Sequence, residues 1–432
     1  MTRHSFICAI FGAAAVAVVE AGETNSGPIT IHDDGRIALR VGAPELVMNG
    51  VQPFLHSAGN GVLLVQAQTH LKPLGRRRRI THFPWRFANY VSRDFGASWE
   101  KLVIRPSEDP PFLEGGSFQR DGKQLMLDTY ITPTGKPDEG EGDLWISRDQ
   151  WRSFEEPVPI RFHIPGVDFD ATADDGGHSH RAIRLHRSMI ELPGGDLLAT
   201  AYGAFKADRI PSAYQKKMMK LRSLLFRSGD GGKSWKLIST IAVGDVGSEG
   251  FNEPVICRLS HGPHVGRLLC RMRTGRDLHQ AVSDDEGSTW SKPQPVAFNG
   301  IDIHDTERWK KYLPLTDKWV RSYPVAKGAV VDPDLIELKN GILACAIGGR
   351  IPEKACFRDP TCPRNGNYLA FSYDGGKTWG HVIQLTSGVW TTHYMSIREI
   401  RPNQLYVTYD LGFWGRPDNQ VMGCTVGVTT TD

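Results

Sequence analysis

Five polar residues fall in an order and spacing that could do chemistry. They are Glu253 in "NEPVICRL", Arg273 closing "RLLCRMR", Arg364 opening "RNGNYLAFS", Tyr394 in "HYMSI" and Asp410 closing "YVTYD". Guanidinium forks bind carboxylates through paired hydrogen bonds, so two arginines suit an acidic ligand. Tyrosine and glutamate are side chains that can exchange a proton. Taken singly, each residue also fits a plainer role. A tyrosine at the edge of a sheet packs against its neighbour, and Glu253 with Arg273 makes a structural ion pair.

What must position them is a repeat. "SRDFGASW" (92–99), "SRDQWRSF" (147–154), "SGDGGKSW" (228–235), "SDDEGSTW" (283–290) and "SYDGGKTW" (372–379) share one spelling, and their opening serines are 55, 81, 55 and 89 residues apart. Each box reads as a tight turn: the aspartate caps the turn's own backbone, glycine supplies positive φ, and the tryptophan packs between sheets. Turn-led runs such as "GDLLATAYG", "GRLLCRMRT" and "GILACAIGG" precede the boxes, and "HRSMIEL", "NEPVICRL" and "DPDLIEL" precede three of those. The last unit, "HYMSIREIRPNQLYVTYDLG", keeps the leading strands without a box. Four antiparallel strands recurring six times predict an all-β, six-bladed β-propeller, with two packed sandwiches as the alternative. "ITIHDDGRIAL" supplies a strand to close the ring, and "SAYQKKMMKLRSLL" (212–225) is the one stretch ambiguous with helix. In such a blade the box turn lies on one rim. Glu253, Arg273, Arg364, Tyr394 and Asp410 converge on the other, around the central channel.

The 432 residues are 40% apolar with a formal net charge of +3, so no global attraction to nucleic acid or anionic membrane follows; "GRRRR" (75–79) is a local exception. "MTRH" followed by "FICAIFGAAAVAVV" and "VEA" reads as a signal peptide over residues 1–21, leaving one domain over 28–432 and an exported, secreted or periplasmic product without a membrane span. Six cysteines remain after the leader. Cys356–Cys362 and Cys257–Cys270 are the expected disulfides. No CxxC spacing occurs, and neither metal nor cofactor is expected.

The boxes resemble the Asp-boxes, or BNR repeats, of the sialidase superfamily, and the whole mature chain fits that family's six-bladed plan. The resemblance extends to the site. Sialidases carry a glutamate opening a blade, an arginine about twenty residues on, an arginine shortly before an Asp-box serine, a tyrosine, and then an acidic residue. It implies a hydrolase whose Tyr394 is the nucleophile and Glu253 its base, because a neutral hydroxyl is not repelled by a sugar bearing a carboxylate on its anomeric carbon. It further implies that Arg273 and Arg364 hold that carboxylate, with Asp410 beside them, and that the partner is an acidic glycan.

The first blade departs from the family pattern. "GVQPFL" places Gln52 at or beside an expected arginine, and no Asp or Glu occurs between Pro53 and Arg93 to serve as general acid. "HRSMIELPGGDLLATAYG" resembles the family's opening motif two blades late, which adds His186 and Arg187 to the candidate substrate-binding residues. His178 and His180, with His70 and His82, fit a proton donor or metal ligands as well as solvated loops. Two other classes share this inventory: a propeller polysaccharide lyase acting on uronate-containing glycans through His, Tyr and Arg, and a non-catalytic glycan-binding propeller.

Overall fold

The computed structural model describes residues 6–9, 16–19, 29–31, 36–74, 85–105, 108–172, 181–213, 217–299, 301–303 and 327–430. The tetra-arginine stretch, His82, His178 and His180 lie outside them. Residues 6–9 and 16–19, within the expected leader, pair as a short hairpin.

The described chain is strands, turns and a few single-turn 3-10 helices. Three sheets are four-stranded antiparallel meanders that begin with Val51–Ser57, Asn252–Arg258 and Ala329–Glu337. A fourth begins with Met395–Arg401 and runs through Gln404–Leu411 to Gln420–Thr430. Ile37–Val41 adds to its far side, so the early strand completes the last sheet as expected. Among its described residues the ambiguous stretch forms no helix, and Arg222–Ser228 is a central strand.

The remaining ten strands depart from the expectation of separate blades. Two antiparallel runs, Ser117–Arg120 to Val158–His163 and Ile183–Glu191 to Ser234–Ala242, are fused into one sheet. Tyr130–Pro133 pairs Ile183–Glu191 at one end, and Val158–His163 pairs Ser234–Ala242 in parallel at the other. Seven of the ten strands thereby form a closed circuit. Packing accounts for the parallel pairing, because Phe162 stacks on Trp235 with centroids 6.1 Å apart and meets Phe226 edge-on.

Apolar cores lie between sheets that are neighbours in sequence, such as Leu198, Leu225, Ile256 and Cys270, then Val255, Cys257, Cys345 and Tyr368. Tyr406 and Val421 join Leu55 and Val65 between the last sheet and the first. The leading strands contact one another in turn from Ile183–Glu191 through to Met395–Arg401, which contacts Val51–Ser57. The circle closes where His56 Nδ1 meets Ser117 Oγ at 3.0 Å and Ser117–Arg120 contacts Ile183–Glu191.

The repeated turns are built alike. Asp94, Asp230, Asp285 and Asp374 each accept the box serine hydroxyl and the backbone N–H four residues on. Gly96, Gly232, Gly287 and Gly376 have φ of +86° to +90°, and the worn copy places Trp151 in that left-handed position at +63°. The spelling therefore builds strand connections.

The cysteine expectation is corrected: Cys257, Cys270, Cys345, Cys356, Cys362 and Cys424 are all free thiols. Cys257 pairs Leu269 and Ile256 pairs Cys270, so the two cysteines are one register step apart and face opposite sides of their sheet. Cys257 lies in the core toward the next sheet and Cys270 in the core toward the preceding one.

Candidate active site at the strand bulges

Each leading strand carries a residue with positive φ within it or just before it. Gln52, Gly116, Arg187, Glu253, Asp332 and His393 lie between +42° and +108°. Four of these positions coincide with register breaks, at Val51/Phe54, Leu185/Met189, Asn252/Val255 and Val331/Asp334. A left-handed non-glycine residue costs roughly 1–3 kcal/mol, and bulges of this kind re-aim side chains at functional sites. Only the second position uses glycine. A Cβ on Gly116 would come within 2.9 Å of the Met189 nitrogen.

The bulges are held by one another. Glu253 accepts the Asp332 N–H at 3.2 Å, and Asp332 accepts the Met395 N–H at 2.9 Å. Asp410 accepts the Gln52 N–H at 2.7 Å. Carboxylates of one sheet thus fix the backbone of the next, and the closure runs from the last sheet to the first.

The structure brings Tyr394, Glu253 and Arg273 together. The Tyr394 hydroxyl donates to Glu253 Oε1 at 2.7 Å, and Arg273 Nη1 reaches the same carboxylate at 2.9 Å and the hydroxyl at 3.4 Å. Arg273 Nη2 binds Glu249 at 2.8 Å, a residue that sequence reading missed. A tyrosine oriented onto a carboxylate whose other partner is a fixed cation has a defined route for its proton. All three are buried, Tyr394 being 5% and Glu253 3% exposed.

Arg364 stands elsewhere, lining a hollow of about 690 Å³ together with Gln280, Phe298, Asn299 and Trp379, and its carbonyl accepts the Tyr368 hydroxyl. The guanidinium that approaches Tyr394 from that sheet belongs to Arg350, 6.0 Å from the Tyr394 ring centroid and 5.2 Å from that of Phe357. The signal for Arg350 was present, since it ends "GILACAIGGR" where Arg273 ends "GRLLCRMR".

Asp410 is fully buried. Besides Gln52 it accepts hydrogen bonds from Thr391 Oγ1, the Thr392 N–H and the Thr392 hydroxyl. Burial raises its carboxyl to about 6 in spite of these donors. Arg187 crosses the ring to bind Asp332 through both oxygens, Asp334 at 3.4 Å, and the Ser396 hydroxyl. Arg398 also binds Asp334.

His186 sits among carboxylates. Its Nδ1 faces the Pro254 carbonyl at 3.2 Å, and its Nε2 lies 3.2 Å from Glu114 and 3.8 Å from Asp332. Burial alone would lower its pKa, but the nearby carboxylates of Asp332 and Glu114 raise it to about 9. Glu114 is brought down to about 2 against its burial, chiefly by Arg184 and then by His186. The ring thus holds Glu114, Glu249, Glu253, Asp332 and Asp334 against Arg184, Arg187, Arg273, Arg398 and protonated His186.

Ligand atoms of His186, Glu253 and Asp332 lie within 4.8 Å of one another, a spacing that a metal ion could use. The donor set fits an ion poorly. Arg187 occupies both Asp332 oxygens, and the cationic imidazole already supplies the positive charge that an ion would bring.

Where the family pattern expects an arginine and an acid, the ring presents apolar rings. Phe54 lies 6.4 Å from Tyr394 and 5.5 Å from Phe112, which stacks on Phe87 at 4.1 Å.

No protein-family model matches the sequence, and no curated protein sequence does. Solved structures do match in fold. A Dyadobacter fermentans protein of unknown function aligns with TM-score 0.60 at 16% identity, covering 90% of this chain and 99% of that one. An alpha-L-arabinanase of Penicillium chrysogenum aligns with TM-score 0.53 at 12% identity, over 89% and 98% of the two chains. The NanB sialidase of Streptococcus pneumoniae aligns with TM-score 0.51 at 11% identity, over 90% of this chain and 70% of its own. At these identities the likeness is one of fold, and the fold is all-β and propeller-like.

Proposed function

We propose that the chain is an exported glycan-active enzyme on a single six-bladed propeller over residues 28–432, acting as an exo-glycoside hydrolase on a carboxylate-bearing sugar. The observation that carries this reading is the Tyr394–Glu253 hydrogen bond of 2.7 Å, with Arg273 fixed on both groups. That two fold neighbours are an arabinanase and a sialidase supports the glycan assignment.

In this reading Glu253 takes the hydroxyl proton as Tyr394 Oη attacks the anomeric carbon. The bond to the leaving oxygen breaks, and that oxygen takes a proton from water. A second water then attacks the anomeric carbon and breaks the tyrosyl–sugar bond. Its oxygen stays on the sugar, its proton replaces the one given to the leaving group, and Glu253 returns its own proton to the Tyr394 oxygen. Arg350 and Arg273 are the cations a substrate carboxylate meets beside Tyr394. The aromatic face of Phe54 and Phe112 replaces the first-blade polar groups, so the sugar need not carry the side chain that a sialic acid does.

A second reading, a glycan-binding propeller without turnover, draws on the burial of Tyr394 and Glu253. Incubation with sialosides, arabinan oligosaccharides and uronate polysaccharides separates the readings. Released monosaccharide that disappears in Tyr394→Phe supports the hydrolase, and an unsaturated uronate product indicates a lyase. Binding without any product supports the second reading.

A further inference from the structure

Beside the ring, three loops at the ends of the sheets led by Ala329–Glu337 and Met395–Arg401 present aromatic rings outside the apolar cores. Phe357 comes from the loop after Leu343–Arg350, Trp390 from the segment leading to Met395–Arg401, and Phe413 with Trp414 from the loop after Gln404–Leu411. All four are half-buried. Their centroids are 5.0 to 5.9 Å apart: Phe413 to Trp414, Phe357 to Phe413, Phe357 to Trp414 and Trp390 to Phe413.

The rings are fixed rather than loosely displayed. The buried Asn419 side chain accepts the Phe413 N–H at 2.8 Å and donates to the Phe413 carbonyl at 2.6 Å. Gly412 donates to the Trp390 carbonyl at 2.8 Å, with φ of +123°; a Cβ there would fall 2.1 Å from Asn419 Oδ1. Holding apolar rings rigidly in partial contact with water costs free energy that a ligand can recover, and contiguous apolar patches on a soluble surface mark binding sites.

The patch is continuous with the candidate site. The Arg350 guanidinium lies over both Phe357 and Tyr394, and the Phe357 ring is 5.9 Å from His393, the residue before Tyr394. We propose that Phe357, Trp390, Phe413 and Trp414 form a stacking surface for the apolar faces of sugar rings on the chain beyond the bond held at Tyr394, which makes the substrate an oligo- or polysaccharide. The proposal rests on the glycan reading above. Sugar C–H faces carry slight positive charge and meet the negative face of an aromatic ring, and rings with two rotatable bonds lose little entropy on binding.

The test is affinity electrophoresis of the full chain in gels containing branched arabinan, polysialic acid or polygalacturonate. The native protein should be retarded by at least one of these. Phe413→Ala with Trp414→Ala should weaken that binding about tenfold or more. Trp414→Phe, which keeps a ring, should retain it and guards against misfolding as the cause. Unchanged binding in the double variant, or no retardation by any of the three polymers, overturns the proposal. So does a double variant whose only change is loss of self-association by sedimentation, because the patch would then join two copies. Tyr394→Phe with full turnover would remove the catalytic reading yet leave this binding result standing, so the two failures are distinguishable.

Discussion

Arg187 binds both oxygens of Asp332, with Nη2 at 2.6 and 2.7 Å and Nε at 3.2 Å from Oδ1, across the ring from the third leading strand to the fifth. Both residues are buried and both occupy left-handed bulges. Two strained backbones are thus stabilised by one pair of charges. Asp332→Ala leaves the guanidinium buried with its main partner gone and frees the Met395 N–H. It should destabilise the protein by about 3–5 kcal/mol in chemical denaturation. A loss below about 1 kcal/mol would show that the pair does not hold the ring.

The same network predicts a pH dependence. His186 titrates near 9 in the fold against 6.5 in the unfolded chain, because Asp332 and Glu114 hold its proton more strongly than burial expels it. A group raised in this way contributes stability that is fully present below about pH 6.5 and is lost as pH rises through about 9. The span corresponds to about 3 kcal/mol. Glu114, lowered to about 2, reports the same contact from the acid side and adds nothing further to this window. Between pH 6.5 and 8, below the range in which the buried thiols begin to cost stability, the urea midpoint should fall in the native chain relative to His186→Gln. Parallel curves for the two proteins would rule out His186 as the titrating group.

Much of this was legible in the sequence, and the omissions have physical causes. The turn spelling and the paired apolar runs fixed the strands, and Ile37–Val41 was correctly read as the closing strand. The bulges were not legible, because Gln52, Arg187 and Glu253 are residue types that rarely adopt positive φ, and the modest tendency of aspartate and histidine to do so does not single out Asp332 or His393. Only Gly116 advertised it. Asp332 could have been found by laying "DPDLIEL" over "NEPVICRL", where it stands in the place of Glu253. The cysteines failed for a reason of register: proximity on adjacent strands says nothing about which face a side chain takes, and one step separates the faces.

Arg271 offers a stabilising substitution. It is fully buried between the meanders that begin with Asn252–Arg258 and Ala329–Glu337, its guanidinium 4.3 Å from the Trp379 ring centroid, with no hydrogen-bond partner among the described residues. Burial pulls its pKa down to about 10, the mark of a charge that the surroundings do not compensate. Arg271→Met keeps the stem and the contact with Trp379 while removing the desolvated charge. Replacements of this kind are neutral or stabilising by about 1–4 kcal/mol. A raised denaturation midpoint is expected. A fall of more than about 1 kcal/mol would mean that the guanidinium has a compensating partner after all.

The choice between two arginines decides how the ring meets its ligand. Arg364 was expected to hold a substrate carboxylate, whereas the structure places Arg350 over Tyr394 and puts Arg364 at a hollow lined by Phe298 and Trp379. Arg350 also sits where the aromatic loops join the ring, so it touches both parts of the proposed substrate path. A charged hydrogen bond to a carboxylate is worth about 1.5–3 kcal/mol, so Arg350→Ala should lower kcat/KM on the acidic substrate about 10- to 100-fold. Arg350→Lys should recover only part of that loss, because an ammonium cannot form the two-pronged contact. Arg364→Ala should stay within about threefold of native, since Arg364 lines the hollow beside Phe298 and Trp379. Measuring both variants on the same released sugar makes the comparison internal. If Arg364→Ala proves the more damaging, the carboxylate is held from beside Gly366–Ser372, and the site opens toward the hollow rather than toward Phe357 and Trp414.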